Sequence, residues 1–431
     1  MKKSTTLATL FAAAFGVASG TASAACVNNS SNLASNSAQL TSAPFVLDIT
    51  DSTINSCAGV SAKTAKDFFA AFETANTSKL FPGSNTTTDA IRVDGGFNSL
   101  LMSIGFAQNS PALTFSVPGL NINQTFNGAT RDASGDLLED YLKKNDVIGK
   151  IMNYQAKNSP FSPITGQGGL LPSTVANDFN SSFTSVATNI AAPMKTASEA
   201  IVNGTASNQI GVGVGVSTGK IKGLKTNAIS LPLSYTFRND LDPRRQLVLQ
   251  LPITYSEVDG AKSIQGGLGV AYRFPMSDNW TLTPGVKYSG VASADLATIA
   301  GLYSATVAST YIMEMGSFDL AIGNMIGLYK TAKFKAGDYS FNPSISTTGF
   351  RNGVMLSQPV MLGGSKMSME YSLIDTRYSG DKPFASNSQE IGVTVGTNKS
   401  AFSARSFIRG GISYVKAKDS NALNINFGYW F

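Results

Sequence analysis

The chain finishes with residues 421–431, NALNINFGYWF, which have the pattern of one amphipathic strand. Every second residue is apolar, which is the period of a β-strand with one apolar face. The apolar positions are Leu423, Ile425, Phe427, Tyr429 and Phe431. The other face carries small or polar residues and Trp430. A soluble protein can also bury such a strand against its core, so the environment of the strand depends on the rest of the chain.

The composition favours a chain that faces lipid. Charged residues make up 14% of the 431 residues, against about 25% in ordinary soluble domains. The sequence contains 41 glycines, and after the N-terminus it has no apolar run long enough to form a membrane-spanning helix. A lipid-facing barrel with a small-residue lumen has this composition. The net charge of +6 is spread along the chain, so we expect no nucleic-acid partner.

Residues 1–24 have the pattern of a signal peptide. Lys2 and Lys3 precede the apolar stretch LATLFAAAFGVA, and Ala22-Ser23-Ala24 forms a small-residue cleavage site. We therefore expect export through the Sec translocon. Cys26 lies next to this site, so a lipoprotein is an alternative. Ser23 argues against it, because lipoprotein signals usually have an apolar residue at that position. Cys26 and Cys57 are the two cysteines of the chain, and an oxidising compartment favours a disulfide between them.

Residues 209–431 repeat the alternation of the last strand. The stretch QIGVGVGVS opens a series of about twelve predicted strands, a number consistent with an antiparallel transmembrane barrel of this length. The predicted strands lie around residues 210–217, 229–237, 247–255, 268–274, 282–288, 305–311, 320–329, 339–345, 367–373, 391–395, 408–414 and 423–431. Many of these strands end in Tyr or Phe, which is typical of aromatic girdles at the two membrane interfaces. A closed barrel leaves no backbone edge unpaired in lipid.

The terminal Phe431, with Tyr429 and the apolar positions before it, resembles the C-terminal signature of Gram-negative outer-membrane β-barrels. This resemblance implies insertion into outer-membrane lipid, and recognition of the last strand by the barrel-assembly machinery in the periplasm. Twelve C-terminal strands after a segment that can enter the pore resemble an autotransporter or solitary autotransporter-like barrel. Paired asparagines of the self-cleaving kind are missing from this segment, and no β-helix repeats precede it.

The N-terminal half has a different character. We expect residues 25–165 to form a small mixed α+β domain. Helices are predicted at SAKTAKDFFAAFETA and DLLEDYLKKNDVIGKIM, and Asp136 and Glu139 have the spacing of a capping box at the start of the second. The stretch NSPFSPITGQGGLLPS is typical of a linker. Residues 166–208 form this linker and a candidate pore helix, with Val175, Phe179 and Phe183 near helical spacing and Pro193 interrupting it.

Catalysis is not expected. GVSTG at 215–219 matches a serine-hydrolase elbow around Ser217, but the chain has no histidine to act as its base. A Ser-Lys pair of Ser217 with Lys220 is the remaining enzymatic alternative. The usual zinc ligands and the spacing of a calcium loop are both missing, so we expect no metal and no cofactor.

The alternation places Arg273, Lys287, Glu370 and Arg409 on the lumen side. Such charges either favour anions, hold an acidic plug segment, or pair with one another. Two functions stay open. The chain is either an autotransporter-like barrel that anchors or displays its N-terminal module, or a passive pore for small polar solutes with that region as a plug or periplasmic domain. A disulfide-closed loop of about 32 residues passes badly through a narrow pore, which favours the periplasmic side.

Overall fold

The computed structural model describes residues 40–70, 83–144, 146–187, 208–239, 241–242, 244–336, 339–397 and 407–430. These residues form an N-terminal module and a C-terminal barrel. The predicted signal peptide, Cys26, Pro193 and Phe431 lie outside the described residues.

The N-terminal module is built on a six-stranded antiparallel sheet with the order β2-β1-β3-β4-β5-β6. In chain order its elements are β1 (Phe45–Asp51), β2 (Ser56–Ala62), helix α1 (Ala65–Ala70), β3 (Ile91–Phe97), β4 (Leu100–Phe106), β5 (Leu113–Val117), β6 (Ile122–Phe126), helix α2 (Arg131–Lys144) and helix α3 (Val147–Asn158). The mixed α+β character predicted from the sequence is confirmed.

One face of this sheet carries the two larger apolar clusters of the module. Phe45, Phe68 and Phe97 stack with ring centroids 5.2–5.6 Å apart where α1 covers β1 and β3. A second cluster lies under α2 and α3, where Phe115 and Leu138 are buried. Rings that meet at tilted angles add a modest stabilisation to that of area burial alone.

The predicted helix start at Asp136 is wrong. Helix α2 begins five residues earlier at Arg131, and the Thr130 hydroxyl accepts a hydrogen bond from the Ala133 amide at 3.1 Å. Thr130 therefore supplies the side-chain cap that the sequence pattern assigned to Asp136. The single predicted helix is also two helices, since Asp146 takes a left-handed conformation with φ 50° before α3.

The C-terminal part is a closed barrel of twelve antiparallel strands. Its strands are β7 (Gln209–Ile221), β8 (Leu224–Arg238), β9 (Gln246–Val258), β10 (Ala261–Pro275), β11 (Trp280–Ser293), β12 (Thr298–Glu314), β13 (Asp319–Ala332), β16 (Ser346–Leu362), β17 (Ser365–Gly380), β18 (Asn387–Thr397), β19 (Phe407–Ala417) and β20 (Ser420–Trp430), with a hairpin of β14 (Phe334–Ala336) and β15 (Tyr339–Phe341) between β13 and β16. The ladder between β20 and β7 closes it, from the pair Ser420 and Ile221 to the pair Trp430 and Gly211. The twelve strands predicted from the sequence are confirmed in number.

One predicted strand is misplaced. Residues 339–345 were expected to cross the membrane, but they belong to the loop between β13 and β16, and the crossing strand is Ser346–Leu362. Phe341 and Ile345 are buried in this loop, so their apolar character serves packing at the barrel mouth. Alternation over a few residues does not separate a lipid-facing strand from an apolar loop.

The outer surface of the barrel is apolar around its circumference. Large apolar side chains on this surface are exposed by 60–64%, as in Leu268, Val286, Leu328, Leu373 and Ile391. Aromatic side chains lie outward towards both ends of the strands. One set is Phe237, Phe274, Trp280, Tyr311 and Tyr429, and the other is Tyr255, Tyr288, Tyr303, Phe350 and Tyr414. An apolar band between two aromatic girdles matches a bilayer with its two interfaces.

Both ends of the barrel chain lie at the same mouth, because the number of strands is even. We call this the terminal mouth, where β7 begins and β20 ends. The opposite mouth, which we call the capped mouth, is formed by hairpins such as the Asp259-Gly260 turn, whose φ angles of 50° and 92° suit a two-residue hairpin.

The N-terminal module packs on the capped mouth. Ala261 and Leu296 of the barrel belong to the same buried cluster as Phe45 and Phe68. The Ala65 amide donates to the carbonyl of Asp295 at 2.7 Å. This shared apolar core holds the module directly against the barrel rather than on a free tether.

Helix α3 adds polar contacts to the same interface. The side-chain amide of Asn153 donates to the carbonyl of Pro343 at 2.7 Å. Lys157 forms an ion pair with Asp381 at 2.8 Å, and its hydrogen bond holds the pKa of that carboxyl below the usual range. These contacts fix the orientation of the module over the loops that follow β13 and β17.

Candidate functional site

The segment between the module and the barrel enters the lumen. Residues 159–166, predicted as a linker, are all buried, including the apolar Phe161 and Ile164. The Thr165 hydroxyl donates to the carbonyl of Ala156, and the side chain of Gln265 on β10 donates to the carbonyl of Gly168 at 2.7 Å. The predicted linker is therefore not an exposed connection. Its Pro, Gly and Ser residues form a buried entry into the barrel.

A helix then descends inside the barrel. Helix α4 (Leu170–Phe179) continues through a π-helical turn, Asn180–Thr184, and one further turn, Ser185–Ala187. Val175, Phe179, Phe183 and Val186 are all buried there. They lie on the inner face of the wall from β11 to β17, with barrel residues Val291, Ala300, Leu302, Ala308, Ala321, Met325, Tyr329, Met355, Ile374 and Tyr378. The candidate pore helix therefore lies in the lumen as far as Ala187, and residues 188–207 lie outside the described part.

Glycines make room for this helix. A Cβ atom at Gly323 would come within 2.3 Å of the Phe183 ring, and one at Gly353 would come within 3.0 Å of both Phe179 and Phe183. Both glycines lie on the inner faces of neighbouring strands, β13 and β16. Side chains at these positions would push the helix off the wall.

Asp178 anchors the helix electrostatically. Its carboxylate forms an ion pair with Lys287 on β11 at 2.6 Å, and both side chains are over nine-tenths buried. The hydroxyls of Ser304 and Tyr329 also donate to Asp178, each at 3.3 Å. One buried charge on the helix thus meets one buried charge on the wall, so neither is left unpaired in the interior.

The other charges of the lumen form pairs within the wall. Arg409 donates to both oxygens of Glu370, which is the bidentate geometry that gives strong pairing. Arg351 lies 2.6 Å from Glu390 and donates to Thr376 at 2.7 Å. Its guanidinium also lies 5.4 Å from the centre of the Phe179 ring on the helix. These pairs set a polar, locally neutral interior beside the apolar wall.

Arg273 is different, because its partners are neutral. Its guanidinium donates to the side chain of Gln246 and, at 2.7 Å, to the carbonyl of Ser181 in the π-helical turn. The structure therefore places Arg273, Lys287, Glu370 and Arg409 on the inner face and brings only Glu370 and Arg409 into contact with each other.

The helix fills one side of the lumen and leaves a cavity of about 560 Å³ along the other. The cavity borders strands β7 to β10 and β16 to β20, and it extends from Phe161 near the module to Trp430 at the terminal mouth. Its walls carry hydroxyl and amide groups from Ser217, Ser230, Thr254, Gln265, Thr394 and Asn424.

Ser217 and Lys220 do not form a catalytic pair. Ser217 lies within the continuous strand β7 and borders the lumen, whereas Lys220 lies on the exposed outer face. Residues three apart in a strand point to opposite faces. The sequence GVSTG also lacks the strand-to-helix turn of a hydrolase elbow.

The described residues contain no group of three or more Cys, Asp or Glu side chains placed to hold a metal ion. Cys57 on β2 is disulfide-bonded. Its predicted partner, Cys26, lies outside the described residues, so the pairing stays a prediction. None of the helices in the described ranges is long and apolar enough to cross a bilayer.

The predicted assembly signal lies on the lipid-facing side of β20. Leu423, Ile425, Phe427 and Tyr429 are exposed by 40–54% on the barrel exterior. Phe431 follows the last described residue, and recognition by the assembly machinery stays a prediction. With the strands closed, the exterior apolar and two aromatic girdles present, the environment of the barrel is a bilayer.

The chain forms an outer-membrane β-barrel. No protein-family model and no curated protein matches the sequence. Solved structures are similar to 51–61% of the chain. The beta domain of the Bordetella autotransporter BrkA is 13% identical with a TM-score of 0.41, covering 52% of this chain and 99% of that one. The translocator domain of the autotransporter NalP from Neisseria meningitidis is 10% identical with a TM-score of 0.41, covering 61% and 95%. The KdgM porin in complex with oligogalacturonate is 10% identical with a TM-score of 0.33, covering 51% and 98%.

Sequence patterns missed three of the charges that organise the lumen. Asp178 lies in a helix that the sequence pattern characterises only by its apolar positions. The inward direction of Arg351 and Glu390 follows from the alternation of β16 and β18, but only when the bounds of those strands are known. The signal that could have found Asp178 is a lone acidic residue between Val175 and Phe179, on the apolar side of the helix.

Proposed function

We propose that the barrel anchors the N-terminal module and displays it at the cell surface, with helix α4 as the tether through the lumen. The observation that carries this proposal is the course of the chain. Gly168 contacts β10 near the capped mouth, Ser181 contacts Arg273 near the terminal mouth, and β7 begins at the terminal mouth. The chain therefore passes through the barrel before its first strand.

The orientation in the membrane follows from the last strand. The resemblance of its C-terminal signature implies recognition from the periplasm, which puts the terminal mouth on the periplasmic side. The capped mouth, with the module, then faces outward. Its 13-residue connection between β13 and β16, residues 333–345, also suits the outer side, where such barrels have their longer loops.

This proposal goes against the expectation drawn from a Cys26–Cys57 loop, which favours the periplasmic side. A module that reaches the surface before its disulfide forms, or together with the folding barrel, avoids the steric conflict. The packing of Leu296 and Ala261 into the core of the module supports joint folding of the two parts.

Labelling of single cysteines in intact cells tests the orientation. Gln124→Cys places an exposed thiol on β6 of the module, and Ser317→Cys places one in the exposed β12–β13 turn at the terminal mouth. We expect a membrane-impermeant maleimide to label the first variant in intact cells, and the second only after the outer membrane is permeabilised. The reverse pattern would place the module in the periplasm and end the display proposal.

The second candidate is a passive pore, which the cavity of about 560 Å³ and its polar walls favour. Helix α4 narrows this path, so we expect low conductance from the intact chain in planar bilayers. A large, steady conductance from the intact chain, without any change of the helix, would favour the pore over the tether.

A further inference from the structure

We propose that the terminal mouth contains a binding site for a small, doubly charged oxyanion of the phosphate type, formed by Arg238 and Arg273. Display of the module does not require this site, and neither arginine contacts the module in the described residues. The site lies on the inner faces of β8, β9 and β10, where they meet the π-helical turn of the lumen helix.

Strand register brings the two arginines together. Gln246 on β9 pairs with Arg238 on one side and with Arg273 on the other. Residues paired across neighbouring strands share a face of the sheet. Because Arg273 faces the lumen, Gln246 and Arg238 face it too. Neighbouring strands are about 4.8 Å apart, which puts the two arginine backbones roughly 10 Å apart, a span that two long side chains can close around one anion.

Both guanidiniums have an unused donor. Arg273 is 6% exposed, and the buried Nε of Arg273 has no hydrogen-bond partner among the described residues. The buried Nε of the half-buried Arg238 is likewise without an acceptor in the described part of the chain. Their positive charges repel each other. The Nε of Arg351 also has no acceptor among the described residues, but Arg351 has Glu390 as a charge partner. Arg238 and Arg273 have no such carboxylate in the described ranges, and burial of cations without a counter-charge is costly, so the arrangement favours a negative partner.

The other buried cations of the lumen differ from Arg238 and Arg273, because each has a carboxylate partner. Lys287 pairs with Asp178, Arg351 with Glu390, and Arg409 with Glu370. Within the described ranges, no carboxylate forms an ion pair with Arg238 or Arg273. Among the described residues, the lumen therefore pairs its other buried cations with carboxylates and supplies none to these two.

The chemistry of the partner follows from the donors. Guanidinium groups bind phosphate and carboxylate oxygens through parallel N–H donors. Two of them facing one site favour a dianion over a monoanion. Arg273 also borders the polar cavity, so a water-soluble anion has a path to it from solvent. The partner is a free, water-soluble oxyanion rather than a lipid headgroup, because the site faces the lumen.

Isothermal titration calorimetry with inorganic phosphate tests the site on the full chain, folded in detergent. We expect wild-type protein to bind phosphate more tightly than acetate. The Arg238→Gln/Arg273→Gln double variant should lose roughly 10-fold or more in phosphate affinity, because charge-assisted hydrogen bonds are lost. Arg273→Lys keeps the charge without the fork, and should weaken binding by less than the double variant.

Arg245→Gln is the matched control. Arg245 lies in the loop before β9 at the same mouth, and its side chain is 46% exposed beside Asp242. Its loss should leave phosphate affinity unchanged. Equal phosphate binding by wild type and a correctly folded double variant, or no phosphate binding by wild type at millimolar concentration, would overturn the proposal. Tighter binding of phosphatidylglycerol micelles than of free phosphate would also overturn it, in favour of a lipid site.

Discussion

At the scale of single residues, the contact between Asp178 and Lys287 holds the helix to the wall. The two groups are 6% and 2% exposed and 2.6 Å apart. Loss of one partner leaves a buried charge, which typically costs about 3–5 kcal/mol. We expect Lys287→Met and Asp178→Asn each to lower the unfolding temperature of the barrel. This temperature is measured by heating samples and following, on gels run in the cold, the shift from the fast-migrating folded form to the unfolded form.

The double variant Asp178→Asn/Lys287→Met should recover most of this loss, because no charge is then buried alone. Lys144→Met is the control, since Lys144 and Asp140 form an exposed pair with 71% and 55% exposed side chains. Exposed pairs contribute little to stability, so the midpoint should hardly move. Additive losses in the double variant would show that the two residues act independently.

Asp48 in the module gives a prediction about pH. It faces Asp94 across β1 and β3. Burial, and then the charge of Asp94, raise the pKa of Asp48 above its ordinary value of 3.8. A raised carboxyl pKa in the folded state means that the module gains stability as the pH falls through the raised pKa towards 3.8, and loses it as the pH rises again.

Asp48→Asn should therefore stabilise the module at pH 7 and remove this part of the pH dependence. Calorimetric melting of the module between pH 4 and pH 8 measures both effects (the pH range is an approximate window around the carboxyl titration). Asp140→Asn serves as the comparison, because Lys144 lowers the pKa of Asp140 and its neutralisation gives no such gain. A less stable Asp48→Asn module at pH 7 would contradict the account.

At the scale of elements, the fit of helix α4 to the wall depends on glycine. Gly323→Ala puts a methyl group where the Phe183 ring lies, with only 2.3 Å between Cβ and the ring. We expect the helix to shift off β13 and the conductance of the barrel in planar bilayers to rise. Gly290→Ala is the matched control on β11, because its nearest neighbour would be 3.6 Å away. Unchanged conductance in a folded Gly323→Ala barrel would show that the helix tolerates the displacement.

The strands were predictable from sequence and the lumen contacts were not. Lipid requires an apolar residue at every second position, so β7 and β20 can be recognised from short windows. The partner of Asp178 lies more than a hundred residues away on β11, and nothing local in the sequence indicates it. Residues 159–166 have the composition of a loop and are nevertheless buried, and contacts such as the hydrogen bond from the Thr165 hydroxyl to the carbonyl of Ala156 cannot be read from composition.

At the scale of the whole molecule, the described parts are joined by two buried interfaces. The module shares an apolar core with the capped mouth, and the helix shares another with one wall of the lumen. A chain built in this way carries its N-terminal part on the far side of the barrel from the barrel's own ends. We propose that this far side is the cell exterior.

Protease treatment of intact cells, followed by mass spectrometry of the barrel fragment, tests that claim most directly. We expect a protected fragment that begins between residues 158 and 170, because the module is cut outside while helix α4 is shielded by the barrel. Permeabilised cells provide the reference for complete access. A chain that stays whole on intact cells, and loses the module only after permeabilisation, would place the module in the periplasm and contradict the account.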